Sequence, residues 1–169
     1  PDGSYTIQIG DVDGVLAGHD GTTLDAMSGS RAVTLAGADV SGVHFGYNQP
    51  SSIGDTVWSD ADGNGVQDAG EPGIGGVSVE LLSDPNGDGD PADGTLLATV
   101  TTAADGSYLF AGLPPRSYVT RVAAVNFTVG QVLEGYVQTG DPDQPGMPCT
   151  TCNNHGSTTL TIGGTSDLT

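Results

Sequence analysis

Lysine is absent from this 169-residue chain, and only Arg31, Arg116 and Arg121 carry fixed positive charge against 21 acidic residues. A net charge of −18 with no basic stripe excludes nucleic acid as a partner, because a duplex needs a cationic face to displace its counterions. Aromatics are scarce at 5% and apolar residues reach only 36%, so any core is lean. No apolar run approaches the roughly 18 residues that a bilayer-spanning helix requires, so no membrane insertion is expected. Helix signals are nearly missing as well; "LDAMSGS" at 24–30 is long enough for one turn at most. There is no nucleophile elbow, no phosphate-binding glycine loop and no triad, and the carboxylates alternate with glycine rather than flanking a cleft. No catalytic role is expected. The first residue is Pro, which points to a processed chain or a piece of a longer one.

What is abundant is glycine, at 28 residues, mixed with Thr, Val and Ser. That mixture suits short strands joined by tight turns. Alternating apolar runs predict strands at 4–9, 31–37, 42–47, 53–58, 76–82, 94–102, 106–112, 117–127, 134–139 and 157–162. Each is bounded by Gly, Pro, Asp or Asn, which predicts an all-β antiparallel sandwich. Trp58, Tyr108, Phe110, Tyr118 and Tyr136 fall on alternating strand positions and are expected in its core. His19 and His44 have no nucleophile or paired acid nearby in sequence and read as surface or turn residues.

The chain also repeats itself. "PDGSYTIQI" at the start corresponds to "PPRSYVTRV" at 114–122, and "SRAVTLAGADV" at 30–40 to "GSTTLTIGGTSDL" at 156–168. After its copy the first unit continues into "SGVHFGYNQP". On this reading residues 1–50 hold the closing strands of one unit, and 51–169 hold nearly all of the next, lacking its final strand.

Several motifs in order, "SIGDTVWSDADGNGVQDAGEPGIGGVSVELL", "TTAADGSYLFAGLPPRSYVTRV" and "HFGY", resemble the SdrD-type B repeats (SD-repeat B domains) of bacterial surface proteins. The resemblance covers 51–169 and the tail of another copy in 1–50. It implies a Greek-key β-sandwich of the collagen-adhesin B and transthyretin-like kind, strung in tandem, stiffened by calcium, extracellular or at the cell surface, and acting as a stalk or spacer. Two departures stand out. Some relatives in the wider collagen-adhesin B group carry a Lys–Asn isopeptide bond, which a lysine-free chain cannot form. "LPPRS" at 113–117 is not an LPxTG-like sorting signal.

Residues 60–71 carry the spacing of a twelve-residue calcium loop. Asp60, Asp62 and Asn64 stand at places 1, 3 and 5, with Gly65 at the sharp turn. Val66 offers its backbone carbonyl at place 7, Asp68 stands at 9 and Glu71 at 12. Asp55, in the preceding strand, is expected to cap this site or a neighbour. A second run, "DPNGDGDPADG", sets Asp84, Asn86, Asp88, Asp90 and Asp93 among glycines and prolines. It has no Glu at the twelfth place, so Asp105 is the expected long-range ligand. Two or more Ca2+ sites are therefore expected, with Asp141 and Asp143 as donors for a third or as a simple Asp-Pro turn.

Cys149, Cys152 and His155 form C-x2-C-x2-H. Zinc would need a fourth ligand such as Asp143; free thiols and a local disulfide are the other readings, and an acidic, lysine-free surface favours an extracellular disulfide. Together these features predict a calcium-stabilised structural module, a rigid stalk or fibre subunit. Its partners would be neighbouring repeats or copies of itself, with strand exchange into a head-to-tail filament as one form. The alternatives are an adhesin-type module that recognises a protein or polysaccharide, and an accessory domain of a secreted hydrolase.

Overall fold

The computed structural model describes residues 1–11, 13–21, 29–141, 148–149, 152–161 and 165–167. The helical turn expected at 24–30 falls largely outside them. The chain divides into two compact units, Pro1–Pro50 and Ser51–Thr169.

In the first unit, β1 (Gly3–Gln8) pairs with β3 (Ser30–Leu35) in antiparallel register from Gly3↔Leu35 to Gln8↔Ser30, while β2 (Asp20–Gly21) pairs with β4 (Tyr47–Asn48). The strand expected at 42–47 thus shrinks to Tyr47–Asn48.

The second unit holds β5 (Ser51–Thr56), β6 (Ser78–Ser83), β7 (Leu96–Thr101), β8 (Ser107–Leu113), β9 (Ser117–Val122), β10 (His155–Thr159) and β11 (Thr165–Asp167). They form two sheets, ordered β10-β9-β6-β7 and β11-β5-β8. The chain crosses between sheets after β5, β7, β8 and β10, so the architecture is an all-β sandwich with Greek-key crossings. Alternation places Val79 and Leu81 of β6 inward, where Ile53, Val77, Phe110, Tyr118, Leu133 and Leu160 complete the core. Phe110 and Tyr118 are buried as expected, whereas Tyr136 is 49% exposed.

Three further departures from the alternation pattern involve contacts that periodicity does not encode. The strand expected over 117–127 stops at Val122, and Ala124–Phe127 form a 3-10 turn. There the buried Asn126 amide takes over backbone bonding: Nδ2 donates to Ser78 O at 2.8 Å and Ala123 O at 2.7 Å, and Oδ1 accepts from Ser78 N at 2.9 Å. Residues 134–139 are turn and irregular backbone rather than strand; Gln138 uses its side chain to bond Gly140 O and Asn154 N. Finally, β11 runs parallel to β5, Thr165↔Ser52 to Asp167↔Gly54, so the sandwich is not wholly antiparallel. Over Ser52–Gly54, β5 lies between β11 and β8.

The two units share a local pattern. Tyr5 Oη donates to Pro1 O at 2.9 Å, and Tyr118 Oη to Pro114 O at 2.7 Å, each four residues back. Ser4 faces Thr34 with hydroxyls 3.4 Å apart, and Ser117 faces Thr159 at 2.8 Å. Burial separates them: Tyr118 is fully enclosed, whereas Tyr5 is 41% exposed.

Candidate metal loops

The neck of the 60–71 loop is closed by antiparallel backbone. Ser59 N donates to Pro72 O at 2.9 Å, Ile74 N to Val57 O at 2.7 Å, and Trp58 bridges Gly73. The flanks are extended, in keeping with their alternation, and are not a helix pair. Gly73 is obligatory here, because a Cβ would run into the Asp105 carbonyl of the β7–β8 turn.

Inside the loop, Asp60 organises the backbone. Its Oδ1 accepts from Gly63 N at 2.7 Å and Asn64 N at 3.2 Å, and its Oδ2 from Gly65 N at 2.8 Å. Gly63 and Gly65 supply the positive φ values, 73° and 79°, that turn these N–H groups inward. Glu71 reaches back across the loop, its Oε1 accepting from Ala61 N at 2.7 Å and its Oε2 from Asp68 N at 3.1 Å. The result brings one carboxylate oxygen each of Asp60, Asp62 and Glu71 within 4.8 Å of one another. Asn64 Nδ2 bonds Asp62 Oδ2 and Asp68 Oδ2, and Asn64 Oδ1 accepts from Val66 N.

The β6–β7 connection repeats this device, a likeness that the twelve-residue template conceals because only the first half of the loop is shared. Residues 60–65 and 84–89 both read D-x-[DN]-G-[DN]-G. Asp84 Oδ1 accepts from Gly87 N at 2.8 Å and its Oδ2 from Gly89 N at 3.1 Å, with glycine φ values of 75° and 79°. Asp84, Asp88 and Asp93 come within the same 4.8 Å of one another. Asp90 Oδ1 accepts from Ala92 N at 2.8 Å.

Asp105 is not brought to this second cluster. It lies at the opposite end of β7, where its carboxylate accepts from Ser107 N and Oγ at 3.1 and 2.6 Å. Asp93 stands in the cluster instead. Asp55 sits on β5 with Oδ1 accepting from Thr56 N, and belongs to neither triad. Asp141 Oδ2 accepts from Asn153 N, while Asp143 lies outside the described residues. Cys149 and Cys152 are disulfide-bonded, which removes the zinc reading of C-x2-C-x2-H. One participant has no sequence signal at all: Thr139, whose side chain is the largest influence lowering Asp60.

The electrostatics of the loops differ. The Thr139 hydroxyl, followed by the N–H groups of Gly65, Gly63 and Asn64, holds Asp60 below the ordinary aspartate value of 3.8 against the opposing effect of desolvation. The Ser107 hydroxyl and N–H lower Asp105 in the same way. Asp93 goes the other way, raised first by desolvation and then by repulsion from Asp88, Asp84 and Asp90. These directions set a pH profile for the cation-free chain. Folded Asp93 holds its proton more tightly than unfolded Asp93, so its penalty is full at neutral pH and is relieved as pH falls through its folded pKa. Asp60 and Asp105 contribute stability that is full above 3.8 and is lost as pH falls through their lowered values. With chelator present, the melting temperature is therefore expected to rise on mild acidification and then fall, and Asp93→Asn to flatten the rise. Thermal melts across pH check this; a decline from neutrality downward contradicts it.

The donor set fits a hard cation. Every converging side chain offers oxygen, with no thiolate or imidazole, and the chain supplies no lysine to neutralise the carboxylates.

Comparison with known proteins places these loops in a family. The sequence profile of the SdrD B-like domain matches residues 51–169. Serine-aspartate repeat-containing protein D of Staphylococcus aureus (strain Newman) is 38% identical over 117 residues, 69% of this chain and 8% of that protein. Serine-aspartate repeat-containing protein F of Staphylococcus epidermidis is 33% identical over 172 residues, 99% of this chain and 9% of that protein. The chain thus spans less than a tenth of either relative. Among solved structures, the minor pilin GBS52 of Streptococcus agalactiae has 14% identity over 80% of this chain and 56% of its own, with a TM-score of 0.39. A streptococcal ancillary pilin has 16% identity over 95% and 39%, with a TM-score of 0.36. An extracellular, cell-surface setting goes with the Sdr relatives, and the Cys149–Cys152 disulfide is compatible with it. Across residues 51–169, this chain belongs to the SdrD B-like domain family.

Proposed function

We propose that residues 51–169 are a calcium-stiffened structural module of a cell-surface repeat protein, serving as a rigid spacer rather than a catalyst. The observation that carries this reading is the duplicated cradle, in which Asp60 and Asp84 each gather the N–H groups three and five residues on, with two further carboxylates converging beside each. Asp60, Asp62, Asn64, Asp68 and Glu71, with the Val66 carbonyl, would hold one Ca2+; Asp84, Asn86, Asp88, Asp90 and Asp93 would hold another. Bound calcium would supply the positive charge that the sequence lacks. The residues themselves do the structural work. The first loop closes the β5–β6 crossing, and the second fastens the β6–β7 hairpin, so both tie elements that carry core residues.

Residues 1–50 fit the closing strands of a preceding unit, since β1 and β3 reproduce the Tyr–Pro and Ser–Thr contacts of β9 and β10. A tandem spacer is preferred to strand exchange, because β5 is already bonded on both edges over Ser52–Gly54. An adhesin-type role draws on one feature of the second unit. A cleft of about 570 Å³, lined in part by Trp58, Tyr108, Phe127 and Tyr136, holds an indole whose Nε1 has no acceptor among the described residues.

Calorimetric titration tests the leading reading. Two Ca2+ should bind, with affinities on the order of 10⁻⁴–10⁻³ M as for extracellular modules. Asp60→Ala and Asp84→Ala should each abolish one site and spare the other. Absence of any binding heat in the millimolar range overturns the proposal.

A further inference from the structure

Two asparagine–glycine pairs, Asn64–Gly65 and Asn86–Gly87, lie inside the acidic loops. Such a pair is chemically vulnerable, because glycine places no side chain beside its backbone nitrogen and its torsional freedom lets that nitrogen approach the preceding amide. Attack of the glycine nitrogen on the asparagine Cγ forms an N–Cγ bond and breaks the Cγ–Nδ2 bond. The nitrogen's proton passes through solvent base to the departing ammonia. Water then opens the cyclic imide at either carbonyl, leaving aspartate or isoaspartate. The net change is one amide plus one water to one carboxylic acid plus one ammonia, with no oxidation or reduction.

The two pairs are held very differently. Asn64 is half-buried and Gly65 is buried. The Asn64 side chain is fixed by three residues: Nδ2 donates to Asp62 at 3.0 Å and Asp68 at 2.9 Å, and Oδ1 accepts from Val66 N at 2.6 Å. Asn86 and Gly87 are both exposed. The Asn86 side chain is held by Asp88 alone, through its N at 3.0 Å and Oδ2 at 2.9 Å. Each glycine nitrogen is engaged by an aspartate at 2.8 Å, Gly65 by Asp60 and Gly87 by Asp84, so that bond does not distinguish them. Release from a single neighbour, in full contact with water, frees Asn86 for cyclisation. Asn64, itself half-buried, must give up three contacts.

We propose that Asn86–Gly87 is a site of spontaneous, succinimide-mediated modification in this chain, and that the first loop shields the otherwise identical Asn64–Gly65 pair. The consequence rests on the calcium reading above: modification replaces the one neutral donor among residues 84, 86, 88, 90 and 93 by an acid. In the aspartate product, position 86 acquires the side chain that Asp62 has in the first loop. In the isoaspartate product the main chain gains a methylene between Asp84 and Gly87, and the paired bonds of Asp84 to Gly87 and Gly89 no longer share one register.

The test is incubation of the intact chain in mildly alkaline buffer with EDTA, followed by peptide mapping with mass detection and an isoaspartate assay. The peptide bearing Asn86 is expected to gain the acid-for-amide mass several-fold faster than the peptide bearing Asn64. Aspartate–glycine isomerisation, as at Asp62–Gly63 and Asp88–Gly89, also yields isoaspartate but leaves mass unchanged, so the rates are taken from the mass gain alone. Asn86→Gln should silence the signal in that peptide. Equal rates at the two pairs, a faster Asn64, or an Asn86 no faster than Asn48, Asn126, Asn153 and Asn154, which precede residues other than glycine, would each overturn the assignment. A parallel incubation with calcium separates the two proposals. The rate ratio in EDTA tests the site alone, whereas slowing by calcium tests whether the loops bind it.

Discussion

Chelation with EDTA should lower the melting temperature of the second unit by roughly 15 °C and open its loops to proteolysis. Saturation at about a hundred times Kd contributes ~2.7 kcal/mol per site, so two sites supply ~5 kcal/mol, and each kcal/mol moves the midpoint of a domain this size by about 3 °C. The physical source is the convergence of three carboxylates in each loop in a chain of net charge −18. Without a cation, Asp93 is raised above the ordinary aspartate value, first by desolvation and then by repulsion from Asp88, Asp84 and Asp90. Sodium chloride at matched ionic strength should not restore the melt, because screening does not replace coordination. Magnesium should restore little, since it demands a smaller octahedral shell and gives up water reluctantly. Asp84→Ala should lose about half of the calcium-dependent shift. An identical melt with and without EDTA would refute the calcium role outright.

How much of the molecule is legible in its sequence depends on how local the physics is. Residues 60–71 are legible because a cation loop is written in consecutive positions, and Asp60 needs only Gly63, Asn64 and Gly65 to fold it. The second loop is half legible. Its missing twelfth-place Glu suggests a distant donor, Asp105, yet β7 carries Asp105 to the other end of the hairpin while Asp93 stands in place. The strand break after Val122 leaves no local trace, because the Asn126 amide that causes it bonds Ser78, 48 positions away. Thr139 is hidden for the same reason: residues 134–139 read as a strand by alternation, and only the fold sets that hydroxyl against Asp60. The parallel β11–β5 pair likewise needs a crossing between sheets that periodicity does not encode.

Tyr118→Ala should be the most damaging single core change, costing about 3–5 kcal/mol in urea unfolding. The ring is fully buried in the main cluster, and the Arg116 guanidinium carbon lies 5.0 Å from its centroid. Removing it leaves a cavity between β9 and the opposing sheet that its neighbours, packed from both sheets, cannot fill. Tyr118→Phe separates packing from bonding. The ring stays, but Pro114 O loses the donor at 2.7 Å, and an unmet carbonyl in a part-buried site costs about 1 kcal/mol. Tyr5→Phe supplies the control, since it breaks the same bond, Oη to Pro1 O at 2.9 Å, on a ring 41% exposed. Water can replace the lost donor there, so the change should stay within about 0.5 kcal/mol. If both Phe variants lose the same stability, burial is not what makes the Tyr118 bond matter. If neither loses any, the tyrosine–proline contact is a by-product of strand geometry, and the cost of Tyr118→Ala comes from packing alone.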